Sequence, residues 1–252
     1  MSKNYVKKLV EEKLRIDERA FDQLREIKIE TGIIKTAEGS AKVTWGNTIV
    51  LVGIKMSVGE PFPDTPDEGV LIVNSELVPV ASPTFEPGPP NEKSIELARV
   101  IDRGIRESHA IDLEKLAIDE KKVWNVNVDV YVLDHDGNFL DAGALAAIAA
   151  LMETKMPEYK DEKIDYKKHT KPLPMKDIPI AITIAKIGDK LLVDPHIEEE
   201  DAMDARITIT TTKEGDLCSI QKGGEGFFTT KELEEAADLS IAKGKEIRKI
   251  LK

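Results

Sequence analysis

Asn91–Ser108 reads NEKSIELARVIDRGIRES. It follows Phe85-Glu86-Pro87-Gly88-Pro89-Pro90, a rigid run that neither a helix interior nor a central strand accommodates. After that break the pattern is helical. Leu97, Ala98, Ile101, Gly104 and Ile105 share one face, the face of a helix that packs on a core. Arg99, Arg103 and Arg106 lie opposite, within an arc of about 60° at roughly 100° per residue. Two readings of that cationic face stand side by side. Planar guanidinium forks match phosphate oxygens bidentately. Exposed helix arginines also commonly pair with nearby acids, here Glu96 and Asp102.

Working outward, Ser2–Arg15 reads as an amphipathic N-terminal helix with Val6, Leu9, Val10 and Leu14 on one stripe. Arg15–Arg19 reads as a polar turn. Glu26–Ile34 alternates as a strand. Ser40–Val58 carries two strand runs joined by Gly46-Asn47, a hairpin signal. Val70–Val80 is another strand region. Beyond the arginine helix, Val123–Val132 alternates strictly, and Leu140–Met152 is an Ala-rich apolar run that fits a buried helix. Met156–Lys176, polar and broken by prolines, reads as an exposed loop. Two hairpins follow, Ile178–Val193 turning at Gly188-Asp189 and Ala205–Gln221 turning at Gly215-Asp216. Thr229 with Glu232 has the capping-box pattern of a last helix. The expectation is an α+β fold of mostly antiparallel sheet with packed helices. It is one domain over residues 1–252, built as two pseudo-duplicated halves of about 20–110 and 120–252 with an N-terminal helix at 2–15.

Composition narrows the function classes. A 252-residue chain that is 41% hydrophobic can bury a full core. The net charge of −11 means that nucleic acid would need a local basic patch or a basic partner. The lone Cys218 excludes an intramolecular disulfide framework and fits a reducing cytoplasm. No apolar run long enough for a membrane helix occurs, and the first residues lack the apolar stretch of a secretion signal.

No Walker loop, nucleophile elbow or dinucleotide fingerprint appears. The densest carboxylate cluster is Glu198–Asp201, with Asp194, His196 and Asp204 beside it. It could hold Mg²⁺ or supply an acid, but a wet acidic loop is the plainer reading. His135 reads as a solvated turn residue. No histidine has zinc-ligand spacing with another His or Cys, so no metal and no cofactor is expected.

Specific stretches add a resemblance. These are EGSAKVTWGNTIVLVGIK (38–55), PFPDTPDEG (61–69), PTFEPGPP (83–90), SIELARVIDRGIRES (94–108), VDVYVLDHDGNFLDAGALAAIAAL (128–151) and VDPHIEEEDAMDARI (193–207). Over nearly its whole length the chain resembles the RNase PH family, and within it the non-catalytic RNase PH-like subunits of archaeal exosomes. The resemblance implies an RNase PH fold of two related βαβ-type halves. It also implies a hexameric ring of three heterodimers with a catalytic sister subunit, RNA-binding caps on one face, and 3′-to-5′ phosphorolysis of single-stranded RNA by the assembly. Active members carry a Thr-Arg or Ser-Arg pair that binds the attacking phosphate; the matching positions here are Ala144 and Leu145. They also carry two aspartates six residues apart. Asp194 keeps the first place, Glu200 takes the second, and Asp201 falls one residue late. The segment Arg15–Arg19 departs from the family pattern as well. The resemblance therefore implies a subunit without catalysis of its own, in which Arg99 and Arg103 grip RNA phosphates. Arg106 does the same or serves Asp102. The rival expectation is a self-sufficient exoribonuclease using Asp194 and Glu200.

Overall fold

Two hairpins with the same turn chemistry start the two sheets. Gly46 (φ 59°) and Gly188 (φ 61°) each take the first central position of a two-residue turn, where a positive φ matches the twist of the flanking strands. In the computed structural model, which describes residues 2–251, the first hairpin is β2 (Gly39–Trp45) and β3 (Thr48–Gly59). β1 (Ile27–Thr31) pairs outside β2. β4 (Val70–Leu77) and β6 (Lys122–Asp134) complete the order β1-β2-β3-β6-β4, with the short β5 (Ala117–Asp119) added to β6. β4 and β6 are parallel, and the crossover between them carries α2 (Glu92–Glu107).

The second sheet is β9 (Ile180–Ile187), β10 (Lys190–Val193), β11 (Ala205–Thr211) and β12 (Leu217–Gly223), ordered β10-β9-β11-β12. All its pairings are antiparallel, so a parallel crossover occurs in the first half alone.

α3 (Phe139–Glu153) joins the halves. It packs on β2 and β3 from one sheet, on β9 from the other, and on α2 beside it. Every residue from Phe139 to Leu151 is buried. That explains its alanines: small side chains let both sheets approach, and Gly143 lies against Leu97 and Ile101 of α2. α5 (Thr230–Arg248) covers β9 and β11, and all eight residues of β9 are buried. Thr229 caps α5 with Glu232 as its spacing predicts. One hydrophobic cluster runs through both sheets.

Three local expectations are corrected. The N-terminal helix α1 covers Lys3–Glu11 rather than 2–15, packing through Val6 and Val10 on Ile187, Leu192 and Ala202. Met156–Lys176 is not a loop: β7 (Lys155–Lys160) and β8 (Lys163–Pro172) form a separate hairpin. Its turn is Asp161-Glu162, both at positive φ (50° and 60°), with no glycine or asparagine to signal it. The acidic run is likewise no loop but α4 (Ile197–Ala202).

Candidate nucleic-acid interface

α2 is anchored before its arginines are presented. Asn91 caps it by accepting the Ser94 N–H at 3.0 Å. The Ser94 hydroxyl donates to the Ser75 carbonyl, and the Ser75 hydroxyl to the Ser94 carbonyl, both at 2.7 Å. Leu97, Val100, Ile101, Gly104 and Ile105 are buried beneath it. The opposite face does not behave as one unit. Arg106 donates to Asp102 (2.8 Å) and to the Leu71 carbonyl (3.3 Å). Glu96 pairs with Arg206 from β11, not with a neighbour on its own helix. Arg99 and Arg103 are exposed, and among the described residues neither has an ion-pair or hydrogen-bond partner. The ion-pair reading therefore holds for Arg106 alone. About 6 Å of helix rise separates the two exposed arginine positions on a rigid support.

Two carboxylates of the acidic cluster, Asp194 and Glu199, have the reverse character: they are buried and occupied, while Asp201 stays exposed. Asp194, at positive φ (53°) and without solvent exposure, accepts from Arg25 through the backbone N–H (2.8 Å), Nε (3.0 Å) and Nη2 (2.7 Å). Arg19 Nη1 (3.0 Å) and Asn138 Nδ2 (2.9 Å) complete its shell. Burial alone would raise the Asp194 pKa, but the Arg25 guanidinium holds it below the usual carboxylate range. Glu199 is equally enclosed. Arg15 reaches it bidentately at 2.9 and 2.6 Å and also donates to the Val193 and Asp194 carbonyls. Arg15–Arg19 does turn, with the Glu18 N–H donating to the Arg15 carbonyl at 3.2 Å, but Arg15 at its start is 2% exposed and is the counter-charge of a buried pair.

Glu200 accepts the Asn138 N–H at 2.7 Å, and burial pushes its pKa up to about 7. Asp141, at the start of α3, is also raised by burial to about 7, against hydrogen bonds from Thr183 and Asn138. His135 is not solvated. It stacks on Phe85 at 5.3 Å, meets Phe139 edge-on, and is pushed down to about 4, chiefly by burial. Its Nε2 lies 3.9 Å from Glu200, too long for a hydrogen bond. Among the described residues no three His, Cys, Asp or Glu side chains converge on a point where a metal ion would sit.

Ala144 and Leu145, 9% and 2% exposed, present only apolar side chains within the buried α3. Ala144 lines an apolar sliver of only ≈ 10 Å³ with Val100, Ile101 and Thr210. An anion there would find no space and no cation. The sequence marks Asp194 and Glu200 as neighbours, and Asn138 hydrogen-bonds to both; it does not show Arg19 and Arg25, which occupy Asp194, or Arg15, which occupies Glu199. Their long sequence separations leave no local signal.

A two-sheet fold of this topology, with its carboxylate pair at the head of a buried helix, defines a class. The chain belongs to the 3′ exoribonuclease family, RNase PH: the family's domain 1 matches residues 23–157 and its domain 2 residues 177–243. Among curated relatives it is 56% identical to the exosome complex component Rrp42 of Thermococcus gammatolerans, covering 96% of this chain and 91% of that one. It is 52% identical to the protein of that name from Pyrococcus furiosus, over 99% and 92%. Among solved structures it is similar to a chain of the Archaeoglobus fulgidus exosome with RNA bound to the active site, with TM-score 0.94, 51% identity, and 99% and 97% coverage. A chain of an archaeal exosome core gives 0.89 and 47%, over 99% and 95%. Rice Rrp46, 18% identical with TM-score 0.73, shares the fold.

Proposed function

We propose that the chain is a non-catalytic ring subunit of an exosome, pairing with a catalytic RNase PH-like sister in a ring of three heterodimers under RNA-binding caps, in the cytoplasm. It acts as one domain of two related halves. Its part in 3′-to-5′ phosphorolysis is to complete the sister's cleft and hold single-stranded RNA by Arg99 and Arg103, with Arg106 bracing Asp102. The observation that carries this reading is the contrast within one chain: two arginines on a rigid helix without partners among the described residues, against Asp194 and Glu199, which are buried and saturated by Arg15, Arg19 and Arg25. The relatives' exosome names and the RNA held in the A. fulgidus assembly support it.

The self-sufficient exoribonuclease is disfavoured by the same geometry. Asp194 has no lone pair left for a metal ion, and Ala144 and Leu145 cannot bind phosphate. The test is Arg99→Glu with Arg103→Glu in the assembled complex. RNA affinity and phosphate-dependent turnover should each fall at least tenfold while the mass of the ring is unchanged, since two phosphate contacts become repulsive. Unchanged binding in an intact ring would leave a scaffold only. Phosphate-dependent release of nucleoside diphosphates by the pure chain would overturn the non-catalytic reading.

A further inference from the structure

The β7–β8 hairpin stands out against the charge of the rest of the molecule. In a chain of net −11, it carries six lysines against four acids. The outgoing strand, Lys163–Pro172, carries Lys163, Lys167, Lys168, Lys171 and His169 against Asp165 alone. Lys168 pairs with Glu158 and Asp165. Lys163, Lys167 and Lys171 are exposed, and among the described residues none has an acidic partner.

Beneath the hairpin, at the ends of β3 and β6, lies an open groove of ≈ 620 Å³. It is lined by Tyr159, Ile164, Tyr166, Lys122, Lys163 and Glu162. Glu162 is neutralised by Lys122 at 2.5 Å, so Lys163 is the uncompensated charge at its rim. Tyr159 is braced edge-on against Trp124 (6.0 Å between centroids), while Tyr166 is 46% exposed with Lys55 over its ring at 4.8 Å. An edge-braced Tyr159, an exposed Tyr166 and free lysines on the same hairpin supply rings for bases and cations for phosphates.

The groove also lies where the arginine stripe leads. Arg106 touches Leu71, Leu71 lies opposite Val126, and Lys122 is four residues upstream of Val126 on the same strand. At about 3.3 Å per residue, that places the groove roughly 15 Å beyond the end of the stripe.

From these observations we infer that the β7–β8 hairpin and its tyrosine groove form a second single-stranded RNA site, binding bases on Tyr159 and Tyr166 and phosphates on Lys163, Lys167 and Lys171. The choice of RNA as ligand rests on the function proposed above; the site itself does not involve Arg99 or Arg103. Lysines on a free strand edge also deter sheet-to-sheet aggregation. That role asks nothing of the two tyrosines or the groove.

The test uses the assembled complex and oligouridylates of about five and about fifteen nucleotides, the range of sites on single-strand platforms. With Lys163→Gln, Lys167→Gln and Lys171→Gln combined, the slope of log affinity on log salt for the longer RNA should shrink by about 2, at about 0.7 per phosphate contact. The short RNA, held at the arginines, should be unaffected. Tyr166→Ser should weaken the longer RNA at least about fivefold. In the unsubstituted complex, 4-thiouridine in the longer RNA should crosslink within residues 155–172. Absence of that crosslink, or an unchanged salt slope and affinity in both variants, overturns the inference. So does protection of the Lys163, Lys167 and Lys171 amines from acetylation in the RNA-free complex but not in the isolated chain, which would mean that a protein segment occupies the site. If R99E/R103E has no effect while the hairpin variants weaken binding, the arginine grip fails and this site stands.

Discussion

Replacing Asp194 by alanine separates a structural clasp from a catalytic remnant. In the folded chain this carboxylate holds Arg19, Arg25 and Asn138, and the two arginine side chains are only 9% and 7% exposed. Arg19 keeps Asp17 and Arg25 keeps the carbonyls of Asp136 and Gly137, so neither is stripped of every partner. Both nevertheless lose their shared buried counter-charge, which costs about 3–5 kcal/mol. At about 2–4 °C per kcal/mol for a chain of this size, Tm should drop by about 6–20 °C. The sign with pH follows from the depressed Asp194 pKa: its contribution is full above the unfolded value near 4 and is lost as pH falls through the folded one. The gap between parent and variant should thus be full at about pH 6 and close in acid. Calorimetry of the chain measures the first effect. Phosphate-dependent RNA turnover by the assembled ring, well below either Tm, measures the second and should stay within about twofold. An unchanged Tm with a turnover loss of tenfold or more would refute the clasp and restore Asp194 to the chemistry.

Asp141 and Glu200, both raised to about 7, contribute stability that is full below their unfolded pKa values near 4 and is lost as pH rises toward 7. Asp141→Asn with Glu200→Gln should flatten the decline in denaturation midpoint across pH 4–7, and an unchanged slope would contradict the raised values. Arg15→Leu leaves Glu199 buried without its partner and should lower stability by about 3–5 kcal/mol, whereas Arg15→Leu with Glu199→Leu should recover much of it; urea denaturation reads both. Gly39→Ala presses a methyl against the Ala150 carbonyl and Thr154 Cα at the end of α3, where backbone cannot yield; a loss of about 1–3 kcal/mol is expected in the same assay.

Local chemistry made much of this fold legible. Gly46-Asn47, Gly188-Asp189 and the Thr229–Glu232 box each act within four residues, and each sits where the pattern puts it. The all-round apolar run of α3 could be recognised as buried, although not as a wedge between two sheets. The β7–β8 hairpin escaped because Asp161-Glu162 makes a turn that normally calls on glycine or asparagine, and because its outgoing strand is exposed on nearly every residue and shows no alternation. His135 looked solvated because its aromatic neighbours Phe85 and Phe139 include one fifty residues upstream. The same limit hid the carboxylate clasp. Arg25 and Asp194 are 169 positions apart, and nothing near either one announces the other. The arginine face was read as a spacing, but which of its members are free depended on Arg206, from the other sheet, taking Glu96.

That clasp also sets a timetable for synthesis. Arg15 and Glu199 are separated by 184 positions, and the charge that completes the first segment is made near the end of the chain. At about 5–20 residues per second the ribosome needs roughly ten to forty seconds to travel between them. Through that interval Arg15, Arg19 and Arg25 have no Asp194 or Glu199 to bind, although the first sheet they adjoin is already complete by Asp134. The amino-terminal arm is therefore a late latch rather than a nucleus. On a stalled nascent chain ending before α4, a protease should cut it freely while sparing β2 and β3.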